Sequence, residues 1–211
     1  LYHKSMRIGH LILRQYQPNS RVMASFTHHW AIAGHPRFYG SRLLLDHLLA
    51  FCRAEGDFDW GIAYHPYPQD LFEPRTWKDE QAQFTFDTPK ITFRNIEVLN
   101  AWVKQPAVRF RGKSVRMVHL TEQGPNSRDY TEAALRDQAA AMAYVWPKFA
   151  ACDAIQGWQF HNWADNAGEG GLRIGLRRFF DDSPDRGAPK PVWHVCKALD
   201  TPDQAAATDH L

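Results

Sequence analysis

Apolar residues recur along this chain in two alternating rhythms, one helical and one of period two. From Ser5 to Gln17, Met6, Ile8, Leu11, Ile12, Leu13 and Tyr16 mostly follow helical spacing, and Pro18-Asn19-Ser20 ends that helix. Arg21 to Thr27 reads as a strand. Ser41 is placed to cap a second helix carrying Leu44, Leu45, Leu48, Leu49 and Cys52, which Gly56-Asp57 closes. Asp59 to Tyr64 is the next strand. A polar, aromatic stretch from Gln69 to Thr92 is too long for a plain connector and reads as a lid or binding loop. A helix over Ile96 to Lys104 follows, then a strand from Ser114 to Glu122, broken by Gly124-Pro125-Asn126-Ser127. An Ala-rich helix spans Thr131 to Ala151, with Pro147 expected to bend or split it. Ala154 to Phe160 is the fourth strand, a glycine-rich charged loop covers Ala164 to Gly187, and a last helix covers Pro191 to Leu199. The tail after Pro202 reads as loose.

One helix followed by four strand-helix pairs predicts an α/β fold with a parallel sheet, either doubly wound or a barrel. Parallel strands point the same way, so their ends share one face. Those ends carry His28, His29 and Trp30; then His65 and Tyr67; then Glu122 and Gln123; then His161, Asn162 and Trp163. Four successive polar and aromatic sets on one face make a site rather than four accidents. A carboxylate at such an end stands where barrel enzymes keep catalytic groups.

Composition narrows the function. The 211 residues are 44% hydrophobic and 23% charged, ordinary for a globular chain with a sizeable core. Aromatic residues reach 13%, with 8 Trp, and tryptophans that are not core suit a cleft that grips sugar faces. A formal charge of +2 is too mild for a nucleic-acid surface, and no apolar run is long enough for a membrane span. Cys52, Cys152 and Cys196 are widely spaced with no CxxC pair, which disfavours structural zinc; buried thiols are the simpler expectation. Gly168-Glu169-Gly170-Gly171 does not open a helix, so no nucleotide cofactor is expected. The chain opens Leu1-Tyr2-His3-Lys4 and reads as a piece of a longer protein.

The strand-helix alternation, Glu122 at a strand end, His-x-Tyr before it and Asn-Trp after it resemble the retaining glycoside hydrolases of clan A, which are (β/α)8 barrels of the TIM-barrel type. Phe26-Thr27-His28-His29-Trp30, Ala63-Tyr64-His65-Pro66-Tyr67-Pro68 and Leu120-Thr121-Glu122-Gln123-Gly124 are similar to a little-characterised bacterial family of glycosidase-like barrels. The resemblance implies that Glu122, matching the end of the seventh strand, is the catalytic nucleophile. It implies that His65 and Tyr67 support it from the sixth, and that Trp163, or else Trp158, floors the sugar site from the eighth. His28 and Trp30 would close the fifth strand and, with Gln123, Asn162 and Trp163, contact a carbohydrate substrate. No Asn-Glu at a strand end supplies the clan's acid/base; Asn95, Glu97 and Asn100 fall on a helix. Roughly 250 residues make eight units. The chain is therefore expected to hold about the last four, residues 1–200, with 201–211 a loose tail. The partner would be the N-terminal half of the same barrel. A secreted or periplasmic location suits a polysaccharide hydrolase.

Other readings stay open. The alternative for Glu122 is a structural carboxylate capping the helix near Ser127 or pairing with Arg128. His28 and His29, adjacent on a strand, would point to opposite faces. His119, His47 and His194 read as structural or surface residues, and Asp165 and Glu169 as a solvated loop. A metal-dependent barrel hydrolase would use several strand-end histidines, although the chain shows no His-x-His pair and no metal ligand set is expected. A non-catalytic carbohydrate-binding barrel is the third possibility.

Overall fold

The structure, a computed structural model, describes residues 1–34, 36–37, 39–180 and 185–211. Residues 181–184, part of the long loop after the fourth strand, lie outside the described residues.

Helix α1 (Tyr2–Tyr16) leads into strand β1 (Val22–Thr27), helix α2 (Ser41–Glu55) and strand β2 (Trp60–His65). Helix α3 (Ile96–Val103), strand β3 (Val118–Leu120), helix α4 (Glu132–Ala150), strand β4 (Ile155–Trp158), helix α5 (Pro191–Ala198) and helix α6 (Gln204–Thr208) follow. The four strands form one parallel sheet in sequential order β1-β2-β3-β4. A sequential order has no switch point. Right-handed crossovers then bring every connecting helix to the same face.

The core agrees with that geometry. Ala24, Phe26, Trp60, Ile62, Tyr64, Val118, Leu120 and Ile155 pack in one cluster with Met6 of α1, Leu45 and Leu48 of α2, Leu99 of α3 and Val145 of α4. In β1 the alternate positions, Ser25 and Thr27, are exposed. At corresponding positions across the sheet lie Ala63, His65 and His119. The sheet is thus apolar toward the helices and bears histidines and hydroxyls on its other face.

Several local expectations change. Ser41 is not a cap, because Gly40 is the N-cap of α2. The Ser41 hydroxyl donates instead to the carbonyls of His29 (2.7 Å) and Thr27 (3.2 Å), tying α2 to the end of β1. Strand β3 is shorter than Ser114 to Glu122 because Arg116 leaves the ladder. Its buried guanidinium grips both Asp57 oxygens (2.7 and 2.8 Å) and lies 3.9 Å from the Trp60 ring centroid. Helix α4 runs through Pro147 without splitting. The tail is not wholly loose: it forms α6, and Leu211 packs beside the cluster of Ala139, Met142, Val192 and Val195. The stretch from Gln69 to Thr92 is packed rather than free. Thr88 is buried and its hydroxyl donates to Gln81 and Lys90 carbonyls, while Asn95 beyond it donates to Gln83. Cys52, Cys152 and Cys196 are free thiols. Among the described residues no helix is long and apolar enough to cross a membrane.

Gly40 marks the closest approach. A Cβ there would press into the carbonyl oxygens of Trp30 and Ile32. Gly40→Ala is expected to cost about 1–3 kcal/mol, the usual range for overpacking, measured by urea denaturation. A stability equal to wild type would contradict the close packing of this turn.

Candidate functional site

The parallel register decides which strand-end residues meet. Tyr64 pairs with Leu120, so His65 stands beside Thr121, and the His65 Nε2 to Thr121 Oγ1 distance is 3.0 Å. Two residues past β2, between Pro66 and Pro68, Tyr67 donates its hydroxyl to Oε1 of Glu122 at 3.0 Å. The other carboxylate oxygen, Oε2, lies 3.8 Å from Nδ1 of His65, an electrostatic contact rather than a hydrogen bond. The Glu122 side chain is 44% exposed, so a carboxylate held by Tyr67 still opens to solvent. Glu122, His65 and Tyr67 therefore come together.

Burial and the Glu122 charge shift both neighbours of that carboxylate. Burial, then the charge and hydrogen bond of Glu122, then the charge of Glu169, push the Tyr67 phenol well above its ordinary range. Tyr67 stays protonated and donates. Burial pushes His65 below the ordinary imidazole value; Glu122 opposes this and His161 adds to it. The His65 imidazole is accordingly neutral at neutral pH. The structural alternative for Glu122 fails on its named partner: Arg128 pairs with Glu73 at 2.7 Å.

Strand β4 delivers its own group beside this one. His161 donates its backbone N–H to the Gln123 carbonyl at 2.8 Å, one residue from Glu122. A Cβ on Gly124 would sit 2.6 Å from the His161 carbonyl oxygen, so the two segments touch backbone to backbone. The His161–Asn162 peptide is cis. The His161 Nε2 to Glu169 Oε2 distance is 3.4 Å. Asp165 is not a solvated loop residue, because it is buried against Lys190, whereas Glu169 is part-exposed beside His161. The pairing of His161 with Glu169 lies outside the strand-end pattern. It depends on the loop folding back on His161, which spacing along the chain does not reveal.

Other expected contacts are corrected. Trp30 cannot touch a substrate: it is fully buried, edge-on to Trp102, and its indole N–H donates to the Phe86 carbonyl at 2.8 Å. Gln123 is fully buried as well, and its amide donates to the Gln159 carbonyl. His28 is buried, and its ring lies 4.2 Å from that of His29 rather than on an opposite face, because both follow the end of β1. Trp158 packs against Phe93 and Phe149. Trp163 is 57% exposed and meets Trp193 edge-on at 5.0 Å, with the Arg177 guanidinium over both rings. Asn162 is half-buried beside it. Among the described residues no group of three His, Cys, Asp or Glu is placed to hold a metal ion.

Burial, then the charges of His29 and Lys90, push His28 down to about 3. An unfolded chain takes up that proton near pH 6.5. The histidine therefore costs nothing above about pH 6.5, and stability falls as pH drops from there toward 3. The wild type is expected to lose more stability between pH 7 and 4 than His28→Leu, by urea denaturation. Equal losses would contradict a neutral buried His28.

The whole chain, residues 1–211, matches the model of a family of unknown function, DUF5722, and belongs to that family. No curated protein matches it. A solved structure with a similar fold is a family 39 glycoside hydrolase from the gut symbiont Bacteroides cellulosilyticus WH2. It is 18% identical, with a TM-score of 0.50, over 74% of this chain and 30% of that one. The chain thus spans less than a third of that protein's length. The likeness is one of fold.

Proposed function

We propose that this member of the DUF5722 family is the C-terminal four β/α units of a (β/α)8 barrel that hydrolyses O-glycosidic bonds with retention of configuration. The observation that carries the reading is Glu122 at a parallel strand end, with one oxygen held by Tyr67 and the side chain open to solvent. Sequential parallel order with helices on one face suits an arc of a barrel. Fold similarity to a family 39 glycoside hydrolase adds weak support.

In this reading Glu122 is the nucleophile. Its free oxygen attacks the anomeric carbon as the glycosidic C–O bond breaks, giving a glycosyl ester. A second carboxyl, about 5–5.5 Å away in retaining enzymes, protonates the departing oxygen and then draws a proton from water as the ester hydrolyses. That acid/base comes from the N-terminal strands of the full-length protein. Tyr67 fixes the carboxylate orientation, neutral His65 lines the site without adding charge, and Trp163 is the sugar platform with Asn162 beside it. No cofactor is required.

The test is hydrolysis by the full-length protein of aryl glycosides and of plant, algal and bacterial polysaccharides, with product configuration followed by NMR. Cleavage with retention is expected. Sugar binding without cleavage would support a carbohydrate-binding barrel instead, and inversion would overturn the role of Glu122 as nucleophile.

A further inference from the structure

We propose that His161 and Glu169 form a pair that reads vicinal hydroxyls of a neutral sugar and so determines which glycoside is held against Glu122. This rests on the reading of Glu122 as one wall of a sugar site. Two facts place the pair in that site. His161 is pinned by its backbone beside Gln123, one residue from Glu122, and its carbonyl packs against Gly124. The charge of Glu169 acts on the Tyr67 hydroxyl, which already holds Glu122. Glu169 joins the site through His161, its Oε2 lying 3.4 Å from Nε2 of that ring.

The loop is built to present Glu169. Asn166 accepts the Gly168 N–H on its side chain (2.9 Å) and the Glu169 N–H on its carbonyl (3.1 Å). Leu172 returns its N–H to the Glu169 carbonyl at 3.2 Å. Gly170 and Gly171 have φ of 62° and 90°, a backbone that side chains disfavour. The His161 and Glu169 side chains are 29% and 31% exposed, partly covered yet reachable.

The chemistry follows from the donor and acceptor inventory. A carboxylate only accepts and an imidazole N–H donates, while each sugar hydroxyl does both. Adjacent hydroxyls can give a proton to Glu169 and take one from His161, and the charged acceptor strengthens its bond. Two carboxylates, Glu122 and Glu169, disfavour a uronic acid at the same place. Neither residue exchanges a proton with the reacting bond, so the pair positions and selects.

The experiment uses the full-length protein, its Glu169→Gln and His161→Gln variants, and aryl glycosides of glucose, galactose, mannose and xylose with their monodeoxy counterparts. Both kcat/KM and calorimetric sugar binding are measured, with melting temperatures as a folding control. In the wild type, removing the hydroxyl that the pair reads is expected to lower kcat/KM about 10-fold or more. In either variant the same deletion should matter less than about threefold, because the partner is already gone. If hydrolysis persists and both variants discriminate as the wild type does, the pair is not a hydroxyl reader, while the glycosidase reading stands. Pair-dependent sugar binding without hydrolysis would keep this inference and remove the glycosidase reading. Neither binding nor hydrolysis would overturn both.

Discussion

Glu122→Gln in the full-length protein is expected to lower kcat/KM for any cleaved glycoside by about 1,000-fold or more, about 4 kcal/mol of transition-state stabilisation. The amide is nearly the same size and can still accept the Tyr67 hydroxyl hydrogen bond seen at 3.0 Å. It cannot supply the anionic oxygen that forms the glycosyl ester. Substrate binding should change little, so the loss should fall on kcat. A variant that keeps wild-type kcat, assayed by aryl leaving-group release, would remove Glu122 from the chemistry. The substitution also separates this role from a structural one. Glu122 is 44% exposed and does not pair with Arg128, so its loss should leave the melting temperature nearly unchanged.

The largest stability effect is expected at Lys190. Its ammonium is fully buried and donates to both oxygens of Asp165 (3.0 and 3.2 Å) and to the Arg173 carbonyl (2.9 Å). Tyr130 donates to Asp165 at 2.8 Å and accepts the Phe179 backbone N–H at 3.2 Å. The network joins the loop after β3, the loop after β4 and the start of α5. Burial pushes Lys190 down to about 8, against the opposing pull of Asp165. Lys190→Met leaves Asp165 as an unpaired buried charge, which typically costs about 3–5 kcal/mol. Adding Asp165→Leu to it should recover part of the loss, because a buried pair exchanged for apolar groups is often near neutral. Urea denaturation of both variants checks this; a single variant within about 1 kcal/mol of wild type would contradict the burial of the pair. The same loop carries Trp163 and Glu169, so a loosened network is expected to weaken sugar selection as well.

Much of the fold was legible because strands and helices in this chain are punctuated by residues with strong local preferences. Pro18-Asn19-Ser20 and Gly56-Asp57 follow closely on the ends of α1 and α2. The strand-end rule also brought His65, Tyr67 and Glu122 together, since a parallel register converts sequence position into spatial neighbourhood. What escaped depends on partners distant in sequence. Trp30 sits at a strand end like the others, yet a carbonyl 56 residues later covers it. Asp165 looks solvated until Lys190, 25 residues on, is seen beside it. Ser114 to Met117 continues the alternation of β3, but Arg116 reaches back to Asp57 and takes that end out of the sheet. Glu169 required the loop to fold back on His161, which spacing alone does not encode.

The central claim is that Glu122 becomes covalently bonded to a sugar. Treating the full-length protein with 2-deoxy-2-fluoro glycosides of the hydrolysed sugar, then digesting it and sequencing peptides by mass spectrometry, tests that bond directly. The account predicts one glycosyl adduct, on Glu122, formed as activity is lost and absent from Glu122→Gln. Inactivation with the label on another carboxylate, Glu169 included, would contradict it.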